Sequence, residues 1–80
     1  MDETEARLAR CFLAVFPSLS MATVLTADTT NTKGWDSVAS VTLFATVEEE
    51  FDIQIDLQDS TALFSFKGLL EYLRARTAPG

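Results

Sequence analysis

Gly34-Trp35-Asp36-Ser37-Val38-Ala39-Ser40-Val41-Thr42-Leu43-Phe44-Ala45-Thr46-Val47-Glu48-Glu49-Glu50-Phe51 is the stretch that decides the fold. Val38, Val41, Leu43/Phe44, Val47 and Phe51 recur at helical spacing, which predicts a helix over Ser37 to Phe51. Asp36 is the expected N-cap, its carboxylate aimed at the unpaired N–H groups of the first turn. Val38, Val41, Thr42, Thr46 and Val47 are β-branched and lower the intrinsic helix propensity, so a strand over 38 to 47 competes. The length of the pattern and the Glu48-Glu49-Glu50 run decide for helix.

On either side the pattern is also helical. Leu8, Cys11, Phe12, Val15 and Phe16 form one stripe of a first helix over residues 3 to about 16, stopped by Pro17. Asp2, Glu3 and Glu5 suit its positive N-terminal end. Residues 18 to 35 form a long connection rich in turn formers, with a short helical turn expected near Ser20 to Leu25. Leu19, Met21, Val24 and Leu25 are expected to tie it to the core. Residues 52 to 55 alternate but are too short to pair alone, and predict an extended link. A short third helix is expected over 57 to 63, entered from Asp56. Ser65 is the expected N-cap of a last helix, Phe66 to about Arg76, with Phe66, Leu69, Leu70 and Leu73 inward, Tyr72 flanking, and Arg74 and Arg76 at its negative end. The sum is an all-α bundle of three main helices, one short helix and a long first loop, in one domain over 1–80 with a frayed tail at 77–80.

Composition narrows the chemistry. The chain has 80 residues, 48% apolar, which suits one small ordered core. Twelve acids against six bases give a net charge of −6, with no basic footprint for nucleic acid. From Asp36 to Asp59 there are seven acids and no Lys or Arg, a negative stretch that steers basic protein surfaces. Zero histidines exclude Ser-His-Asp and Cys-His sites and histidine metal ligands. The single cysteine, Cys11, excludes an internal disulfide and a multi-cysteine zinc site. The acidic start Met-Asp-Glu-Thr-Glu is unlike a secretory signal, and no apolar run reaches the ~18 residues of a membrane span. A cytoplasmic monomer with no membrane partner is expected.

Asp-Ser alone is an ordinary N-cap followed by an ordinary first-turn residue. On chemistry alone Ser18, Ser20, Ser40, Ser60 and Ser65 are equal hydroxyls. A serine at a helix mouth does have one special property: a phosphate attached there meets free N–H groups and the positive dipole end. The context singles out Ser37. Asp36-Ser37-Val38, then Val47-Glu48-Glu49-Glu50-Phe51, then Ile53 and Ile55, then Leu63, then Leu70-Glu71-Tyr72-Leu73 resemble, at matching spacings across residues 34 to 73, the acyl carrier proteins, here of the free-standing type.

The resemblance implies that Ser37 carries a 4'-phosphopantetheine arm, covalently attached, and that Asp36 supports the modifying phosphopantetheinyl transferase. It implies a docking helix in which Val38, Val41 and Ala45 supply apolar contact and Glu48 and Glu49 meet basic residues of acyl-activating, acyltransferase or ketosynthase partners. Glu50 reads as a solvated helix face. Leu43, Val47, Phe51, Ile55, Leu63, Phe66, Leu69 and Leu73 read as core. The implied function is to tether acyl groups as thioesters and shuttle them between enzymes of fatty-acid, polyketide or related specialised biosynthesis, without being an enzyme. An aminoacyl or D-alanyl carrier and an unmodified acidic helical adaptor are the alternatives. Three departures from the family pattern matter: the first makes a smaller docking knob, and the other two point to a specialised pathway. Val38 stands where leucine is usual. Ala39, Ser40 and Thr42 stand where housekeeping carriers often have acids. Trp35 stands where a small residue is usual. The Gly-Gly-His-Ser or Gly-Gly-Asp-Ser of peptidyl carriers is missing.

Overall fold

The computed structural model describes residues 2–56 and 63–77. They form three α-helices in the order α1 (Glu3–Val15), α2 (Ser37–Phe51) and α3 (Phe66–Thr77), with a 3-10 turn at Val24–Thr26 between α1 and α2. Apart from one isolated antiparallel bridge between Asp28 and Ser65, no β-pairing occurs among the described residues. The all-α expectation holds, and α2 has the predicted bounds. The short helix expected over 57 to 63 falls, except for Leu63, outside the described residues, as does the tail beyond Thr77. Thr77 itself belongs to α3.

Asp2 caps α1, its carboxylate accepting from the Glu5 N–H at 2.8 Å. Leu8, Ala9, Cys11 and Phe12 face inward. The helix ends at Val15, and the Phe16 N–H closes it on the Phe12 carbonyl at 2.8 Å, one residue before Pro17 removes the next donor. α1 packs against both α2 and α3. Phe12 is the hub of the core, its ring 5.1 Å from that of Phe66, 5.5 Å from Trp35 and 6.0 Å from Phe16.

The long connection is held at several points. Val24 is buried and Leu19 packs on the core, as expected, but Met21 and Leu25 are exposed. A 3-10 turn of three residues points one side chain inward, and Val24 takes that place. Two backbone bonds then fasten the loop to the segment before α3: Thr29 N–H to the Phe64 carbonyl at 3.3 Å and Phe66 N–H to the Ala27 carbonyl at 2.9 Å. Between them the Asp28 carboxylate accepts from the Thr30 N–H, the Thr30 hydroxyl and the Asn31 N–H. Those bonds, led by the Thr30 hydroxyl, hold the Asp28 carboxyl below its ordinary value.

α2 closes on Asp52, left-handed at φ 52°, whose N–H returns to the Glu48 carbonyl. Ile55 of the following link is buried and Ile53 packs on the core. The Asp56 N–H reaches the Tyr72 hydroxyl at 3.1 Å and ties the link to α3. Ser65 caps α3 as predicted, its hydroxyl accepting from the Gly68 N–H at 2.9 Å. Phe66, Leu69, Leu70 and Leu73 fill the core side of α3. Arg74 pairs with Asp2 and joins the C-terminal turn of α3 to the start of α1.

Candidate functional site

The open N-terminal end of α2 carries Ser37. Asp36 is extended at φ −111° and ψ −172° and accepts from the Ala39 N–H at 2.8 Å. Its carbonyl accepts from the Ser40 N–H at 2.9 Å. Both Asp36 and Ser37 are exposed, so the hydroxyl faces solvent beside the first N–H groups of the helix, which by geometry have no partner within it.

The turn into α2 is built from Gly34 and Trp35. Gly34 sits at φ +85°, a left-handed conformation that a side chain disfavours. The Trp35 N–H bonds the Thr32 carbonyl at 3.3 Å and the Asp36 N–H bonds the Gly34 carbonyl at 3.1 Å. Trp35 is only 7% exposed. It stands nearly perpendicular to the Phe12 ring, at 81°, and its ring centroid lies 5.1 Å from that of Phe16. Its Nε1–H donates to the buried Ser40 hydroxyl at 2.8 Å. Nothing in the spacing of the sequence announced this bond. The sole signal was a large aromatic beside a turn glycine.

The outer face of α2 separates into two chemistries. Val38 and Val41 are 72% and 67% exposed, and Ala45 is exposed between them and the acidic end. The hydroxyls of Thr42 and Thr46 turn back onto the Val38 and Thr42 carbonyls at 3.2 and 2.8 Å. Their methyl groups are therefore what the face offers. From Ser37 to Val47 the helix carries no charge. Val41, Phe44, Ala45, Glu48 and Ile55 line a cleft of about 180 Å³ at the edge of this face. The exposed Phe64 ring lies 6.1 Å from that of Phe44.

The three glutamates differ in duty. Glu48 is half-buried and accepts from the Ile55 N–H at 2.8 Å, so it holds the link after α2. Glu49 is exposed. Glu50 is not a purely solvated side chain as expected. Arg7 of α1 bonds its carboxylate at 2.8 Å, donates to its carbonyl, and lies 4.4 Å over the Phe51 ring. That arginine arrives from 43 positions away, which no local pattern reveals. It also interrupts the negative surface expected from Asp36 to Asp59. Phe51, expected in the core, is half-buried beneath it.

The structure thus brings Asp36 and Ser37 together at the helix mouth and sets Val38, Val41 and Ala45 on one face with Glu49 beyond them. Cys11 is buried, and desolvation, with Glu50 nearby, pushes its thiol up to about 11, which removes it as a nucleophile. Among the described residues, no group of three or more His, Cys, Asp or Glu side chains is arranged to hold a metal ion. Among the same residues no helix is long and apolar enough to cross a membrane. No family model, no curated protein and no solved structure matches this chain.

Proposed function

We propose that this chain is an acyl carrier protein: a non-catalytic cytoplasmic domain that carries acyl groups on a 4'-phosphopantetheine arm attached to Ser37. The observation that carries the reading is an exposed serine, directly after a capping aspartate, at the open end of a helix whose outer face is uncharged for its first turns and acidic beyond. Attached as a phosphodiester, the arm supplies a thiol that binds the acyl group as a thioester. The chain's own residues do the rest. Ser37 offers the hydroxyl. The helix end favours the phosphate through its free N–H groups and dipole. Asp36 holds the first turn closed. Val38, Val41 and Ala45 offer apolar contact, and Glu49 offers charge, to enzymes that load and unload the arm.

The order of the three described helices, the long tethered connection before α2 and the Ser65 cap support the carrier-type four-helix bundle as the finer fold. The uncharged start of α2 supports partners from a specialised pathway more than a housekeeping synthase. The test is direct. The chain is incubated with coenzyme A and a broad-specificity phosphopantetheinyl transferase, and its intact mass is read. One arm is gained by the wild type and none by Ser37→Ala. An arm on Ser37→Ala moves the site elsewhere, and no arm on the wild type leaves the unmodified acidic adaptor. Loading of the free thiol by an amino-acid-activating enzyme in place of an acyl-activating one identifies an aminoacyl carrier.

A further inference from the structure

The indole of Trp35 does something that capping does not require. Two bonds already close the first turn of α2: Ala39 N–H to the Asp36 carboxylate, and Ser40 N–H to the Asp36 carbonyl. Both start from Asp36 and leave the residue before it free. The Trp35 Nε1–H bond to Ser40 Oγ at 2.8 Å spans the same turn from one residue further out. It encloses Asp36, Ser37, Val38 and Ala39 in a ring closed by side chains. That ring is anchored outside the helix, since the indole is wedged against Phe12 and Phe16 of the core. On its other side the backbone is set by Gly34 at φ +85° and by the Trp35 N–H bond to Thr32. Neither Trp35 nor Ser40 is itself exposed. First turns of helices fray, and the β-branched Val38 weakens this one further.

We propose that Trp35 and Ser40 are a positioning pair: through their buried hydrogen bond they hold the Asp36–Ser37 segment in the single pose that a phosphopantetheinyl transferase reads. The inference rests on the carrier function proposed above. Neither side chain meets the transferase. Their effect is on the fraction of molecules that present Ser37 correctly. When that fraction falls, apparent affinity falls in proportion, while the turnover of a bound, correctly posed molecule does not. Loss of the pair therefore raises KM for the carrier and leaves kcat in place. A merely structural defect, measured well below the melting temperature, moves neither.

The experiment uses the full chain as Trp35→Phe, Ser40→Ala, the double variant and Ser40→Thr. Trp35 is the only tryptophan, so its emission in the Ser40 variants, with circular dichroism for all, verifies that the core is kept. Amide hydrogen exchange at Ala39 and Ser40, whose N–H groups bond Asp36 across this turn, reads the pose without any enzyme, and arm transfer from coenzyme A gives kcat and KM. The expected result is faster exchange and about a tenfold higher KM, with kcat unchanged, in Trp35→Phe and Ser40→Ala. The double variant should be no worse than the worse single one, since both remove one bond, and Ser40→Thr, which keeps a hydroxyl, should restore KM. Unchanged exchange overturns the proposal, as does an unchanged KM in variants whose wild type takes the arm. A wild type that takes no arm removes the carrier reading and this inference with it, which separates the two failures.

Discussion

Removing Arg7 tests how α2 is held at its C-terminal end. The last carbonyls of a helix lack intrahelical partners, and cations near them are favourable. α2 has no basic residue in its own last turn. Arg7 supplies one from α1, with three contacts: the Glu50 carboxylate, the Glu50 carbonyl and the face of Phe51. The ion pair is about a third exposed on both sides and is worth ~0.5 kcal/mol after solvent screening. The bond from a charged donor to a helix-terminal carbonyl adds roughly 1 kcal/mol. Stacking on the half-buried ring adds about 0.5 kcal/mol. Arg7→Ala should therefore destabilise by about 2 kcal/mol, a fall in Tm of roughly 8–16 °C for a domain of this size.

The terms separate by substitution. Glu50→Ala removes only the carboxylate and should lose about 0.5 kcal/mol. Arg7→Lys keeps a charge but loses the planar fork and the stacking, and should fall between the two. Urea unfolding followed by circular dichroism, with the double variant closing the cycle, measures each. If Arg7→Ala loses no more than Glu50→Ala, the carbonyl and ring contacts contribute nothing and the reasoning fails.

Other outcomes are expected on the same footing. Thr42→Ala with Thr46→Ala should stabilise the chain by about 1 kcal/mol, because alanine has the higher helix propensity and the back-bonded hydroxyls add little. A lower melting temperature would show that those hydroxyls support α2. The folded Asp28 carboxyl titrates below its ordinary value of 3.8, so its contribution to stability is whole above that value and is lost as pH falls through the lowered one. Asp28→Asn should flatten that part of the acid limb; an identical acid limb in the variant would remove Asp28 as a contributor. Glu49→Lys should slow arm transfer and weaken its dependence on ionic strength, and unchanged rates from low to high salt would argue against steering. Glu49 is the cleaner site for this, since reversing Glu48 also breaks its bond to the Ile55 N–H.

The local signals read true where a short stretch of chain decides the outcome. Asp36, Phe51 and Ser65 mark helix ends because capping and termination need only neighbours a few positions away. The strand reading of 38 to 47 fails because Leu43, Phe44 and Val47 are buried together on one helical face, and that burial outweighs the β-branched propensities. What was not legible depends on distant partners. Met21 and Leu25 were expected inward by hydrophobicity alone, but both are exposed: Leu25 lies in a 3-10 turn that admits one inward residue, Val24, and Met21 lies before that turn. Arg7 reaches Glu50 across the bundle. Trp35 and Ser40 are five residues apart, yet their bond depends on Phe12 and Phe16 holding the indole, which is a tertiary fact. Of the candidate site, the serine and its cap were readable, while the parts that fix and bound them were not.

The way α2 is stabilised bears on what its outer face is for. Five β-branched residues give this helix a poor intrinsic tendency to form. Its stability comes from its buried face and from side chains outside its own span: Trp35 and Asp36 at the start, Arg7 at the end. With both ends held from outside, the exposed face has no structural duty. For folding alone, Lys, Glu or Gln would serve better there than valine, having both higher helix propensity and higher solubility. Instead two valines stand exposed in the first two turns beside Ser37, next to hydroxyls that have turned inward to their own backbone. A scattered apolar residue on a surface needs no explanation. On the carrier function proposed above, a methyl-rich face without charge, adjoining an accessible serine and ending in an acidic turn, is where an enzyme reaching that hydroxyl would make contact. The sequence accepts a weaker helix there, and the external ties at both ends make that weakness tolerable.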